Sequence, residues 1–243
     1  MLSSAIIPVY NQTPAYLRAA ILSVREQTVP CEIIVVDDGS NPPCHTIVCD
    51  IPTDKDHPII YVQQENGGVS SAMNKGLEYA NGEYIQWLSS DDLYRAEKTE
   101  IQTKALQDSG EMICYCTYEE GIPTIQNVWP AAQYPNSKSL FDGLRQHSFI
   151  NACTVMWHRD VFDEVGEFDI NMRHMNDTEM ILRCAERYNF IAVDAPLVRR
   201  RIHPGQMINT LRQEDEAKSK QADLDYVNKR YGATLKLWVP NAN

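Results

Sequence analysis

Short apolar runs alternate with amphipathic stretches through the first half of the chain. Ala5 to Val9 is the first run, and Thr13 follows in position to cap a helix, with Pro14 at its first residue and its end near Gln27. The continuous β-branched run Glu32 to Asp37 predicts a strand covered on both faces. A third strand, Ile59 to Gln63, leads through Glu65-Asn-Gly-Gly68 into a helix from Ser70 to Ala80, stopped by Asn81-Gly82. The fourth strand is Tyr84 to Leu88, and a polar helix is expected to run from Asp92 to Gly110. Strands alternating with helices in this way predict an α/β protein with a Rossmann-like, mostly parallel central sheet flanked by helices.

The rhythm then changes. Met112 to Tyr118 and Ala152 to His158 read as strands, separated by a stretch, Gly121 to Lys138, that has no clear period. A helix is expected over Asn176 to Tyr188, strands over Phe190 to Val193 and Leu197 to His203, and a charged helix over Leu211 to Tyr231.

Composition narrows the function classes. With 243 residues and 43% hydrophobic side chains, the chain can bury a sizeable core. A net charge of −11 argues against nucleic acid, because binding a phosphate backbone relies on Lys and Arg. No stretch reaches the roughly 20 apolar residues of a membrane span, and Met1 to Tyr10 lacks the basic start of a signal peptide. Seven cysteines without a CxxC pair make zinc and a disulfide framework poor readings, and several lie in apolar runs. A reducing, cytoplasmic location is expected. The charged C-terminal helix leaves room for peripheral association with the inner face of the membrane, for a homodimer, or for plain solvation.

Ligands of an open parallel sheet bind at the carboxyl ends of its strands. Polar residues gather there: Tyr10-Asn11 after the first strand, Asp37-Asp38-Gly39-Ser40 after the second, Asn66-Gly67-Gly68 after the third and Asp91-Asp92 after the fourth. An acidic turn after one strand is commonplace; four polar ends on one edge are not. Neither GxGxxG nor GxxxxGK[ST] is present, so a bound diphosphate needs other neutralisation. A divalent cation held by Asp91 and Asp92 supplies it, since hard cations take oxygen ligands and bridge phosphates.

Six segments in order, Pro8-Val-Tyr-Asn11, Val35-Val-Asp-Asp-Gly-Ser40, Asn66-Gly-Gly-Val-Ser70, Ala72-Met-Asn-Lys-Gly76, Gly82-Glu-Tyr-Ile85 and Leu88-Ser-Ser-Asp-Asp92, together resemble family 2 glycosyltransferases. Val165-Gly-Glu-Phe-Asp169, Asn176-Asp-Thr-Glu-Met-Ile-Leu-Arg183 and Arg201-Ile-His203 continue the likeness, which covers about residues 3 to 204. The resemblance implies a GT-A fold over residues 1–204, with a nucleotide-sugar-binding half (1–110), a smaller acceptor half (111–204) and a helical extension (205–243). It also implies inverting transfer of a sugar from a nucleotide-diphosphate donor, UDP or dTDP in preference to GDP, to a glycan or other hydroxyl acceptor in cell-surface glycan or polysaccharide synthesis. Tyr10 would stack on the base and Asp38 accept a hydrogen bond from it, while Asp37 touches the ribose or holds the turn. Pro8, Asn11, Asn66 and Gly67 complete the nucleotide site; Asn74, Ser90, Asp91 and Arg201 would face the donor sugar and diphosphate. Mn²⁺ or Mg²⁺ would sit on Asp91, Asp92 and His203, and Asp177 would be the catalytic base that takes the acceptor proton.

The chain departs from the family pattern at three places. Ser89 replaces the first acid of the Asp-x-Asp metal motif, Met73 stands where Arg is common, and Asn176 replaces the Glu before the base. One of Arg199, Arg200 and Arg201 could supply the cation missing at Met73. Bland readings stand beside the chemical ones: Tyr10 in a core, Asp37-Asp38 as turn formers, Asp177 favoured by a helix dipole, Asn176 as a cap and His203 as structural. Two other functions stay open, a non-catalytic nucleotide-sugar-binding protein and a sugar nucleotidyltransferase. The latter normally opens with a Gly-rich, basic loop that Pro8 to Thr13 does not have.

Overall fold

In the computed structural model, residues 3–121, 124–203, 206 and 214–236 are described. The first apolar run becomes β1 (Ser3–Val9), which pairs in parallel with β2 (Cys31–Asp38) on one side and β4 (Tyr84–Trp87) on the other. Beyond β2 lies β3 (Ile59–Gln64), also parallel. Side chains that alternate along these strands enter two separate cores. Ile6, Ile34, Val36 and Ile85 pack against α3 (Val69–Tyr79) and α7 (Asn176–Ala185); Ala5, Ile7, Ile33 and Val35 pack against α1 (Pro14–Arg25) and α2 (His45–Cys49).

The sheet continues as a mixed one. The order is β3-β2-β1-β4-β8-β6-β9-β5, with β7 on β6, among the described residues. Here β5 is Leu93–Tyr94, β6 Ile113–Glu120, β7 Asn127–Trp129, β8 Val155–His158 and β9 Phe190–Arg200. The strand β8 runs antiparallel to both β4 and β6, so the parallel pairs of the mostly parallel sheet expected are those of the first four strands and the β6–β9 pair. The polar helix expected from Asp92 starts later, as α4 (Lys98–Ser109), because Leu93 and Tyr94 first pair with Arg199 and Val198. The two strands expected between Phe190 and His203 are one, bent by register shifts around Thr117 opposite Pro196, and it ends before His203. Two further helices are α5 (Ser137–Leu144), closed at its start by a reciprocal Asn136–Ser139 capping box, and α6 (Asp160–Val165).

The C-terminal helix, α8 (Glu214–Tyr231), packs on the main body. Leu224, Val227, Tyr231 and the following Leu235 are buried in the same core as α3 and α7, and the Tyr231 hydroxyl donates to Glu179 Oε1 at 2.6 Å. The expected start of this helix, residues 211–213, lies outside the described residues. Six of the seven cysteines are buried free thiols; burial pushes those of Cys31 and Cys116 up to about 11, which keeps them inert.

The turn into β4 shows why a glycine is required. A Cβ on Gly82 would lie 2.4 Å from the Ser3 carbonyl carbon and 2.6 Å from the Ser4 nitrogen, both main chain and unable to yield. The Gly82 amide also donates to Ser4 Oγ and to the buried Glu32. Gly82→Ala is therefore expected to destabilise the fold by about 1–3 kcal/mol, as overpacking does, seen as a lower urea midpoint with an unchanged slope.

Candidate functional site

Where β1 ends, Tyr10 leaves the sheet and is 57% exposed. Pro8 still pairs with Val36 in the sheet, half-buried behind it. Asn11 takes a left-handed backbone, φ 48°, which Asn tolerates better than most residues. Its amide donates to Ser40 Oγ at 2.9 Å and its Oδ1 accepts from the Asn41 amide at 2.8 Å, so the first two strand ends are stitched together.

The acidic pair after β2 divides its work. Asp37 is fully buried and accepts from the amides of Ser40 and Cys44 and the Tyr61 hydroxyl, each at 2.8 Å. Burial pushes its carboxyl up, but these bonds outweigh it and hold the group below the usual carboxylate range. Asp37 thus holds the turn. Asp38 accepts from the amides of Gly67 at 2.8 Å and Gly68 at 2.9 Å and from Gln64 Nε2, clamping the loop that carries the exposed Asn66.

After β4, the turn Ser89-Ser90-Asp91-Asp92 closes with an Asp92 amide to Ser89 carbonyl bond of 3.0 Å. Its two acids face different ways. Asp91 Oδ2 lies 2.9 Å from His203 Nε2, although 112 positions separate them in sequence. The His203 ring packs on Tyr16 with centroids 4.6 Å apart. Asp92 is turned inward, accepting from the Arg201 amide at 2.9 Å and from the Cys153 thiol. Burial first, and then the Asp91 charge, push the Asp92 carboxyl up to about 7 against the pull of Arg201 and Arg200. Ser89 is likewise engaged with Cys153 Sγ at 3.3 Å, and Ser90 Oγ accepts from Gln12.

Arg201 lies beneath this turn. Its guanidinium donates to the main-chain oxygens of Asp91 and Tyr16 and sits 4.7 Å above the Tyr16 ring. Arg199 and Arg200 pair with Glu119 and Glu120 instead. Met73 is fully buried in the core, so its position offers no cation to this edge. Gln206 ties the segment together, donating to the Arg201 carbonyl and accepting from the His203 amide.

Asp177 begins α7 in its first turn. Its Oδ1 accepts from the Thr178 amide at 2.7 Å and the Thr178 hydroxyl at 3.3 Å. Burial pushes its carboxyl above the usual range, opposed by those bonds and by the charge of Lys220 on α8. Met175, not Asn176, occupies the cap position; Asn176 Nδ2 reaches Ser70 Oγ at 3.3 Å and so joins the start of α7 to the start of α3. Asn74 stands apart from the diphosphate candidates, because both ends of its amide bond the Phe168 main chain at 2.9 Å.

The structure therefore brings Asp91 and His203 together and leaves Tyr10 open beside the Asn11–Ser40 stitch. Among the described residues no group of three or more His, Cys, Asp or Glu side chains forms a metal cage. The contributions of Tyr16 and Cys153 had no signal in sequence, since each works through a partner far along the chain.

The model of the family described as glycosyl transferase family 2 matches residues 4–166. An uncharacterized glycosyltransferase of Rickettsia typhi is 37% identical over 86% of this chain and 66% of its own length, so the chain spans just under two thirds of that relative. The minor teichoic acid biosynthesis protein GgaB of Bacillus subtilis is 46% identical over 37% of this chain and 10% of its own. Among solved structures, S. aureus TarS 1–349 in complex with UDP superposes with a TM-score of 0.66 at 17% identity, covering 96% of this chain and 73% of that one. The complex of the same protein with UDP-GlcNAc gives a TM-score of 0.69 at 16% identity.

Proposed function

This chain belongs to glycosyl transferase family 2 and has the GT-A fold, and from that membership we propose that it transfers a sugar, with inversion, from a UDP- or dTDP-sugar to an acceptor hydroxyl in cell-surface glycan synthesis. The observation that carries the reading is one sheet edge that presents an exposed aromatic ring, Tyr10, a clamped glycine loop under Asp38 and an acid–imidazole pair, Asp91–His203. The cell-surface setting is supported by the likeness to GgaB, named for minor teichoic acid biosynthesis.

Tyr10 stacks on the base. Such stacking is worth about 1–3 kcal/mol by alanine substitution, so Tyr10→Ala is expected to weaken UDP binding by roughly tenfold. Calorimetric titration of UDP checks this, and an unchanged affinity removes Tyr10 from the site.

Asp91 and His203 suit a divalent cation: one carboxylate and one imidazole sit side by side, and the diphosphate would bring the further oxygens. A nitrogen donor in the set favours Mn²⁺ over Mg²⁺, which prefers oxygen alone. Asp92 and Ser89 do not join it, because Arg201 and Cys153 already hold them. When bound, the metal would neutralise diphosphate charge as the nucleotide leaves.

Asp177 accepts the proton of the acceptor hydroxyl, and burial, which pushes its carboxyl above the usual range, makes it a stronger base than an exposed aspartate. The acceptor oxygen bonds the anomeric carbon on the face opposite the diphosphate, and the carbon–oxygen bond to the nucleotide breaks. Products are the glycosylated acceptor and the nucleoside diphosphate.

The engagement of Ser89 by Cys153 favours one other reading, binding of a nucleotide sugar without turnover. Incubation with a panel of nucleotide sugars and Mn²⁺ separates the cases. Release of nucleoside diphosphate supports transfer, formation of nucleoside triphosphate when pyrophosphate is added would mark a nucleotidyltransferase, and saturable binding without either product a binding protein.

A further inference from the structure

Asp177 opens onto a cavity of about 1160 Å³ with walls from three helices: the end of α5 (Arg145, His147), the start of α7 with His174 before it, and α8 with the turn that follows it. That volume is ample for a small-molecule ligand. The third wall is held firmly. Asp223 of α8 accepts from the amides of Arg173 at 2.8 Å and His174 at 2.7 Å, in the segment leading to Asp177. At the far end, the Thr234 amide donates to the Arg145 carbonyl at 2.8 Å, and Leu224 and Val227 are core residues.

Lys220 lies three residues before Asp223, on the same side of the helix, and lines the cavity with Asp177. The other charged or titratable groups in the walls are Asp142, Arg145, His147, His174 and Lys236. Arg145 and Asp142 pair at 2.5 Å and largely cancel, and Lys236 is exposed. Burial pushes the Asp177 carboxyl up and the Lys220 ammonium down, and each charge opposes the shift of the other.

We infer that Lys220, supplied by α8, is a positioning residue for the base: it holds the Asp177 carboxylate charged beside the acceptor hydroxyl, which makes α8 a working wall of the acceptor site. This rests on the reading of Asp177 as base. Lys220 itself touches no reacting atom.

Carboxyl ¹³C NMR titration of the whole protein tests it without any substrate, with Asp177→Asn identifying the signal. In Lys220→Met, and in Lys220→Gln as a second neutral variant, the Asp177 titration is expected to move up by about half to one pH unit. Lys220→Arg, which keeps the charge, should return it to the wild-type position. On the acidic limb of UDP release from UDP-N-acetylglucosamine, that shift appears as a roughly three- to tenfold loss in the neutral variants. An Asp177 titration unmoved in both neutral variants overturns the role of Lys220. Undiminished transfer in Asp177→Asn overturns the base assignment itself, which separates the two failures.

Discussion

Asp177→Asn is expected to leave nucleotide binding unchanged and to lower transfer by about 100- to 10,000-fold, the usual contribution of a positioned general base. Asn keeps the size of the side chain and the Oδ1 acceptor that meets the Thr178 amide and hydroxyl, but it cannot take a proton. A stability measurement should move the opposite way. Asp177 has a folded-state carboxyl above its ordinary value, so the folded protein binds that proton more tightly than the unfolded chain does. The ionised form therefore costs stability as pH rises past the unfolded value and on through the raised folded one, and relief comes as pH falls back. The neutral Asn removes that cost near pH 7, so its melting temperature should be equal to or slightly above that of wild type. A dead enzyme with a lowered melting temperature would point to damage instead of a lost base. An enzyme with full activity would sink the assignment.

Asp91→Ala carries the second large effect. Removing a group that merely orients a metal ligand typically costs 10- to 100-fold in metal affinity, so losing the ligand itself should cost at least about 100-fold. In titrations with UDP, the Mn²⁺-dependent part of the affinity should vanish in Asp91→Ala, leaving the value wild type shows in EDTA. His203→Ala should lose part of the same increment, because its imidazole shares the site at 2.9 Å. Asp92→Asn offers the contrast: its carboxyl faces Arg201 and Cys153, so metal-dependent binding should survive. Wild-type affinity that is indifferent to EDTA would remove the metal from Asp91 altogether.

The legible part of the molecule was its local part. β1 to β4 are continuous apolar runs bounded by glycine, asparagine and acids, so strand position and the polar strand ends followed from residues a few places apart. Beyond β4 the signals become non-local. Leu93-Tyr94 is strand only because Arg199 and Val198 pair with it, and α5 begins at a capping box with Ser139, not Glu or Gln, at its third position. The site divides in the same way. Tyr10, Asp38 and Asp91 could be placed from the ends of their own strands. That Asp92 faces inward, that Asn74 is bound to Phe168, and that Arg201 supports main-chain oxygens were set by partners 61 to 185 positions away, which no spacing reveals.

The stitching of the first three strand ends has a thermodynamic consequence. Asn11 binds Ser40 and Asn41, Asp38 binds Gly67 and Gly68, and a Cβ on Gly39 would strike the Asn66 amide at 2.9 Å. The loops that would meet a nucleotide are already ordered against each other before it arrives. On the proposed reading, association would freeze little more than the Tyr10 side chain, so it should proceed with a small conformational-entropy penalty over a preorganised floor.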